Sequence, residues 1–257
     1  MPVPHYENKH LGRPYVTPHQ LFSYRASQGR QTDAPPGAVV VGWQSVLLER
    51  VRSARSFREI TGPAGAVLEL SPTLGFACLP IGAPVVAIVM EELAALGVKK
   101  IVGIGTAGGL SPDLEVGQAV VCSAALRDDG TSHHYSRPTR WALPDSELLA
   151  SLRSVLPGAV VGPGWTTDAP YRETAEEILA YRGEGILTVD MEASAMFTVG
   201  ACLGVQTASV FCVSDVLHGE EWQPHFQSPN LEDALWRLFE TVESVLSSDG
   251  PTPLTSS

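Results

Sequence analysis

Residues 100–109 read KIVGIGTAGG and combine a short apolar run with a cluster of glycines. The run 100–104 is typical of a buried strand, and the small residues at 105–109 predict a tight turn after it. The preceding segment, 83–96, repeats its apolar residues at three- and four-residue steps and is followed by Gly97, which predicts a helix. A helix that feeds a strand with a glycine-rich carboxyl end is typical of α/β folds.

The same alternation continues on both sides of this stretch. Apolar runs rich in β-branched residues predict further strands at 38–41, 76–79, 119–124, 186–189 and 207–213. Apolar residues at helical spacing predict helices at 44–56, 175–181, 191–203 and 231–246. Strands that alternate with helices over this length predict an α/β fold, a three-layer αβα sandwich with a central mixed sheet.

The domain organisation follows from composition. Residues 38–246 of the 257-residue chain are expected to form one catalytic domain. Residues 1–37 are rich in proline and histidine and predict an N-terminal arm with a short helix near 20–25. Residues 247–257, SSDGPTPLTSS, are polar and predict a disordered tail.

The charge balance restricts the class of partner. The formal net charge is −11, with 17 Lys and Arg against 28 Asp and Glu. Nucleic acids and anionic membranes are bound by clustered Lys and Arg, so neither is an expected partner. An anionic substrate would need a site built from local hydrogen-bond donors.

The cysteines and the N-terminus predict the compartment. The four cysteines stand apart in apolar runs, and no Cys/His spacing suggests zinc, so we expect buried thiols in a reducing compartment. The N-terminal sequence MPVPHYENKH lacks the pattern of a signal peptide, and the apolar stretches are too short for a transmembrane helix. We therefore expect a cytoplasmic protein that needs no metal or organic cofactor.

Polar residues collect at the ends of three predicted strands, where α/β sheets bind ligands. Thr106 lies in the glycine-rich stretch, where backbone N–H groups can approach an anion closely. Asp190 and Glu192 flank Met191 at the start of a predicted helix, and Asp215 ends a later apolar strand. Each has an ordinary alternative: a plain turn at Thr106, helix capping by Asp190 and Glu192, and a cap or turn at Asp215.

Taken together, the three clusters resemble one protein family. IGTAGG at 104–109, VDMEAS at 189–194 and VSD at 213–215 occur in the order and spacing of the nucleoside phosphorylase family. That family includes uridine phosphorylases, hexameric purine nucleoside phosphorylases and methylthioadenosine nucleosidases. RDDGTSHHY at 127–135 and GWTTDAPY at 164–171 are also similar. The resemblance covers residues 38–246 and implies a phosphorylase/hydrolase-like fold.

The resemblance also implies a role for each matching residue. Asp215 would be the catalytic acid, aimed at N7 of a purine. The implied ribose contacts are Met191, Glu192, Thr106 and His10; the base contacts are Ala107, Gly108, Trp165, Tyr171 and Arg172; the phosphate contacts are Gly42, Arg58 and Thr106. A homo-oligomer, a dimer or a trimer of dimers, is implied as well. In it, Arg58 and either His10 or His5 would reach a neighbouring subunit's site.

Two positions depart from the family's phosphate site. Residues 42–46, GWQSV, stand where the family carries a Gly-Asp-Pro-x-Arg loop, and Gly103 stands where it carries another arginine. Both missing arginines would contact phosphate, and bidentate arginine contacts are the strong ones. Arg25, Arg127 and Arg172 are the candidates to replace them.

The predicted function is phosphorolysis of a purine nucleoside to free base and ribose 1-phosphate, with phosphate as co-substrate. Three alternatives stay open. The segment 127–135 favours a uridine phosphorylase, and the missing arginines favour a nucleosidase that uses water. A non-catalytic nucleoside-binding protein is the third, although such a protein would need Glu192 and not Asp215.

Overall fold

The computed structural model describes residues 4–62, 65–218, 222–226 and 228–248. Its α-helices, in chain order, are α1 Pro18–Ser27, α2 Ser45–Ala54, α3 Ala83–Ala95, α4 Ser146–Val155, α5 Ala175–Gly183, α6 Ala193–Leu203 and α7 Pro229–Ser248. Its strands are β1 Ala38–Gly42, β2 Arg58–Gly62, β3 Gly65–Glu69, β4 Leu74–Cys78, β5 Lys100–Gly109, β6 Ala119–Asp128, β7 Trp141–Ala142, β8 Val160–Thr167, β9 Thr188–Asp190, β10 Gln206–Val216 and β11 Gln223–Pro224. Short 3₁₀ helices lie at Lys9–Leu11, Ser132–His134 and Pro170–Arg172.

The strands form one mixed sheet in the order β11-β10-β6-β8-β9-β5-β1-β4-β3-β2, with β7 paired to β6. Parallel pairs join β1 to β4 and β5, β10 to β5, and β8 to β6 and β9. Strand β5 also pairs antiparallel with β9, so β5, β10, β6, β8 and β9 close into a ring. The sheet is therefore mixed, as the sequence predicted, and strand β5 lies at its branch point.

Helices cover both faces of this sheet. In β1, Val39 and Val41 belong to one buried hydrophobic cluster and Val40 belongs to another, because successive side chains of a strand point to opposite faces. Helices α3 and α6 contribute to the first cluster, and α2, α4 and α7 contribute to the second. This arrangement confirms the predicted three-layer αβα sandwich.

The glycine-rich half of the opening stretch is strand, not turn. Strand β5 continues through Gly109 and pairs along its length with β10, to the partners Val216 and Gly109. The predicted tight turn at 105–109 is therefore wrong. A side chain at Gly108 would meet Leu217 Cδ1 at 2.4 Å and Val189 Cγ1 at 3.0 Å. The glycine is needed for close packing between neighbouring segments, which a local pattern does not distinguish from a turn.

Several elements lacked a clear signal in the sequence. The hairpin β2–β3 lies at the sheet edge, and β8 contains Gly162, Pro163 and Gly164, which lower its apparent strand character. Helix α4 begins after Asp145, whose side chain accepts hydrogen bonds from two backbone N–H groups of the first turn. Helix α1 extends beyond the short helix expected in the arm, from a capping box formed by Thr17 and Gln20.

Two expectations from the sequence concern the C-terminal tail and membrane-spanning helices. Helix α7 continues to Ser248, and the rest of the predicted disordered tail, 249–257, lies outside the described residues. Among the helices of the described ranges, none combines the length and apolar character needed to cross a membrane.

Candidate functional site

A cavity of about 590 Å³ opens where the carboxyl ends of β5 and β10 meet the β9–α6 turn. This is the position at which open α/β sheets bind ligands. The structure brings the following candidate residues together in its wall: Thr106, Ala107, Gly108, Tyr171, Met191, Glu192 and Asp215.

Glu192 is held at the start of α6 and is 7% exposed. Its Oε1 accepts a hydrogen bond from the backbone N–H of Gly82 at 2.6 Å. Burial, with the charge of Asp190 as the second cause, raises the pKa of Glu192 to about 8. A second carboxylate oxygen leaves Glu192 acceptor capacity toward the hydroxyl groups of a ligand.

Asp190 fixes the turn that presents Met191 and Glu192. Its Oδ2 accepts from the backbone N–H groups of Glu192 at 2.8 Å and Ala193 at 2.6 Å, whereas Glu192, which is the N-cap residue of α6, makes no capping hydrogen bond with its own side chain. Its Oδ1 accepts from the hydroxyl of Thr166 at 2.7 Å. Burial raises the pKa of Asp190 to about 6 despite these hydrogen bonds.

A network of buried hydrogen bonds stabilises this turn. The backbone N–H of Ser194 donates to Thr166 Oγ1 at 3.0 Å, and the Ser194 hydroxyl donates to Asp129. Asp129 accepts from the backbone N–H of Ser132 at 2.6 Å, and Arg127 Nε donates to Ser132 Oγ at 3.0 Å. The network therefore connects the segment 127–132 to the first turn of α6.

Asp215 lies near the end of β10 and is buried. Its Oδ1 accepts from the hydroxyl of Ser214 at 2.7 Å, and its Oδ2 accepts from Nε1 of Trp222 at 2.8 Å. Asp215 is therefore oriented by its neighbours and faces the same cavity as Glu192.

The part of the cavity near β1 is neutral. Gln44 Nε2 donates to Thr106 Oγ1 at 3.2 Å, and Gln44 Oε1 is buried without a hydrogen-bond partner among the described residues. The indole of Trp43 packs over Gly103 and Gly105, where an added Cβ would lie 2.9 Å and 3.1 Å from ring atoms. None of the described residues that line the cavity is Lys, Arg or His.

Sequence reasoning missed Glu173 and the aromatic pair of Trp222 and Phe226, which also line the cavity. Glu173 follows the 3₁₀ helix Pro170–Arg172, and burial, then the charges of Asp215 and Glu177, raise its pKa to about 7. The ring centroids of Trp222 and Phe226 are 5.9 Å apart. Only the position of Glu173, two residues after Tyr171, offered a signal in the sequence.

Two candidate base contacts lie elsewhere in this chain. Trp165 is 1% exposed and does not line the cavity; its ring packs against Tyr181, and its Nε1 donates to Asp128 at 3.1 Å. Successive side chains of a strand point to opposite faces of the sheet. Thr166 points toward Asp190, so the neighbouring Trp165 points the other way. Arg172 is exposed and outside the cavity wall. Trp165 and Arg172 therefore lie outside the wall of this chain's own cavity, and their contact with a base stays a prediction; Tyr171, at 99% exposure, lies at the rim of the cavity.

The residues implied for phosphate and for the ribose 5′-hydroxyl are also outside this cavity. An added Cβ at Gly42 would meet Leu47 and Phe76, and Gly42 is not among the lining residues, so its contact with phosphate stays a prediction. Arg58 lies on β2 at the far edge of the sheet and forms ion pairs with Glu69 and Asp33. His10 lies in the 3₁₀ helix Lys9–Leu11. The reach of Arg58 and His10, or of His5, to a neighbouring subunit stays a prediction.

The arginines considered as replacements do not enter the cavity wall either. The guanidinium of Arg127 is buried and donates to Ser132, to Thr139 Oγ1 at 2.7 Å and to the Arg137 carbonyl at 3.1 Å. Arg25 lies close enough to lower the pKa of Glu92 through its charge, away from the cavity. In the described parts of the chain, no group of three or more His, Cys, Asp and Glu residues is arranged to hold a metal ion.

A family model described as the phosphorylase superfamily matches residues 44–247. The chain therefore belongs to the phosphorylase superfamily. A guanosine phosphorylase of Halorubrum lacusprofundi is 33% identical over 137 residues, which cover 52% of this chain and 57% of that protein. The matched region is thus little more than half of that relative.

Solved structures share the fold. A uridine phosphorylase of Vibrio fischeri superposes with a TM-score of 0.73 at 22% identity, over 85% of this chain and 95% of that one. An AMP nucleosidase of Bacteroides thetaiotaomicron superposes with a TM-score of 0.73 at 18% identity, over 91% and 100% of the two chains. At these identities the likeness establishes the architecture, and the substrate has to be argued from the site.

Proposed function

We propose that the protein cleaves the N-glycosidic bond of a purine nucleoside and transfers the ribose to phosphate. One observation supports this most directly: two buried carboxyl groups, Glu192 and Asp215, line a single cavity of about 590 Å³. Hydroxyl groups of a sugar need acceptor oxygens, and a departing purine needs a proton. The name of the guanosine phosphorylase relative also favours a purine.

In this proposal the ribose lies over Met191 beside the β9–α6 turn. Glu192 accepts hydrogen bonds from the 2′- and 3′-hydroxyl groups, and Thr106 stands between the ribose and the phosphate. Ala107 and Gly108 lie along the base, where the absence of large side chains lets a flat ring approach the backbone of β5. Tyr171 covers the base from the rim of the cavity.

In the proposed reaction the glycosidic bond lengthens before the new bond to phosphate forms. The C1′–N bond breaks, its electron pair stays on the base, and the ribose carries the positive charge of an oxocarbenium ion. A proton from the site of Asp215 moves to the base nitrogen, and a phosphate oxygen bonds to C1′ from the opposite face. The side chains contribute orientation and charge stabilisation, which are the main sources of rate enhancement in such sites.

Phosphate is the proposed acceptor because the chain belongs to the phosphorylase superfamily. The cavity of one chain supplies Thr106 and Gln44 as neutral hydrogen-bonding groups, without a cationic side chain among its described lining residues. We therefore propose a homo-oligomer, a dimer or a trimer of dimers, in which a neighbouring subunit supplies Arg58 to the phosphate and His10 to the ribose.

Hydrolysis is the second candidate, and the packing of Trp43 favours it. Its indole covers Gly103, so the space of one expected phosphate-binding arginine is filled by an apolar ring. Gln44 Oε1, which has no hydrogen-bond partner in the described parts of the chain, is an acceptor. Water, a hydrogen-bond donor, can satisfy it, and phosphate at neutral pH satisfies it less well.

One panel of assays tests the proposal. Guanosine, inosine, adenosine and uridine are each incubated with the protein, with and without phosphate, and the released base is quantified. Purine release that requires phosphate supports the proposed function. Release that is independent of phosphate identifies a nucleosidase, and phosphate-dependent release from uridine alone identifies a uridine phosphorylase. No release from any of the four nucleosides favours a nucleoside-binding protein.

A further inference from the structure

We propose that Glu173 and Asp215 act as one acid, in which Glu173 stores the proton that leaves with the base. This inference rests on the proposed glycosidic cleavage and deepens it, because it names the source of the proton. Both carboxyl groups line the same cavity, Asp215 from β10 and Glu173 from the segment before α5.

Two hydrogen bonds fix the orientation of Asp215 in the cavity wall. Its two oxygens accept from the Ser214 hydroxyl at 2.7 Å and the Trp222 indole at 2.8 Å. Asp215 is therefore held in one orientation, as a group that presents a proton to a departing base has to be.

The surroundings of Glu173 favour its protonated form. It is half-buried in the cavity wall, and the charged groups that act on it are carboxylates: Asp215 on β10 and Glu177 on α5. No Lys, Arg or His side chain among the described residues of the cavity wall offsets them. These neighbours raise the pKa of Glu173 to about 7, so a large share of its carboxyl groups is protonated in neutral solution.

Glu173, whose surroundings favour its protonated form, can supply the proton that the oriented Asp215 presents to the base. When the C1′–N bond breaks, its electron pair stays on the base, and the base nitrogen takes the proton that the pair holds. The pair is left with two carboxylates, whose mutual repulsion favours uptake of a proton from solvent before the next turnover. Asp215 faces the base in this scheme, and Glu173 supplies the proton.

The variant Glu173→Gln tests this scheme, because an amide fills the same space and cannot deliver a proton. Guanosine and 7-methylguanosine are the probes. The base of 7-methylguanosine already carries a methyl group at N7, so it leaves as a neutral molecule without protonation. We expect Glu173→Gln to slow cleavage of guanosine by about 100-fold or more and to leave cleavage of 7-methylguanosine almost unchanged. The wild-type rate with guanosine should fall above about pH 7 as the pair loses its proton, and this limb should be absent from the variant.

Glu176→Gln is the matched control, because Glu176 is an exposed carboxylate three residues further along the chain. It should keep the wild-type rates and pH profile. Equal loss of both probes in Glu173→Gln would mark a structural role and overturn the proposal, as would an unchanged pH limb with guanosine. If the wild-type protein cleaves neither nucleoside, the glycosidic function itself fails, which is a distinct result.

Discussion

The indole of Trp43 covers Gly103, and an added Cβ at position 103 would lie 2.9 Å from the Cη2 atom of the ring. The two departures from the phosphorylase pattern are therefore one feature, because the ring at 43 fills the space that a side chain at 103 would need. The same Cβ would also lie 3.0 Å from Ser209 Oγ and 3.2 Å from Met196 Cε, so these two side chains enclose the space beside Gly103 as well. Restoring an arginine at 103 alone cannot rebuild a cationic site.

Gly103→Ala should lower the free energy of unfolding by about 1–3 kcal/mol, because the new methyl group overpacks a closed space. Urea denaturation measures the change. Gly158→Ala is the control, since nothing lies within 4 Å of an added Cβ at Gly158. If the loss is smaller when Trp43 is also replaced by Leu, the two positions are coupled; an equal loss in both backgrounds would contradict the packing argument.

Asp215→Asn should slow purine cleavage by about 100-fold to 10,000-fold, the usual contribution of a general acid. An asparagine keeps one oxygen to accept from a neighbouring donor, so the melting temperature should change little. Steady-state rates with guanosine and a thermal melt give both quantities. Asp113→Asn, in an exposed loop, is the control. A variant that retained the wild-type rate would remove Asp215 from the mechanism.

Thr166→Val should destabilise the protein, and Thr198→Val should not. Thr166 Oγ1 donates to Asp190 at 2.7 Å and accepts from the Ser194 N–H at 3.0 Å, so its loss strands two buried polar groups and costs about 1–3 kcal/mol. Thr198 Oγ1 is buried without a partner among the described residues, so its replacement should be neutral or stabilising.

A second readout separates the two threonine variants. The Michaelis constant for the nucleoside should rise in Thr166→Val, because the turn that presents Glu192 depends on Asp190. It should stay at the wild-type value in Thr198→Val. Similar stability in the two variants would show that the network under α6 carries little free energy.

The stability of the protein should depend on pH through Glu192. Burial, with the charge of Asp190 second, raises its pKa from 4.5 to about 8, so between these values the folded protein holds a proton that the unfolded chain releases. The stabilisation from protonated Glu192 is complete below pH 4.5 and is lost as the pH rises to about 8. The melting temperature should therefore decline across this window.

Glu192→Gln should reduce that decline, because the amide does not titrate and its oxygen can still accept from the Gly82 N–H. Part of the slope should remain, since the pKa values of Asp190 and Glu173 are also raised, to about 6 and about 7. Glu115→Gln, at an exposed position, should leave the slope unchanged. A decline as steep in Glu192→Gln as in the wild type would contradict the assignment.

Local patterns located most helices and the apolar strands, because amphipathic spacing and β-branched runs depend on neighbouring residues alone. They failed at 105–109, where glycines allow close packing in a strand and do not form a turn. They also failed at β8, whose glycines and proline are accepted because β6 and β9 pair with it on both sides. In each case long-range pairing overrode the local preference.

The sequence by itself determined the α/β class, the family resemblance and several of the residues that line the cavity, among them Thr106, Glu192 and Asp215. Tertiary structure alone decided which of them meet: Trp165 turns into the core, Arg127 is held by a buried network, and Glu173 enters the cavity beside Asp215. The physical reason is that facing, burial and mutual charge depend on the register and packing of segments far apart in the chain. Those same contacts set the protonation of the carboxyl groups on which the proposed chemistry depends.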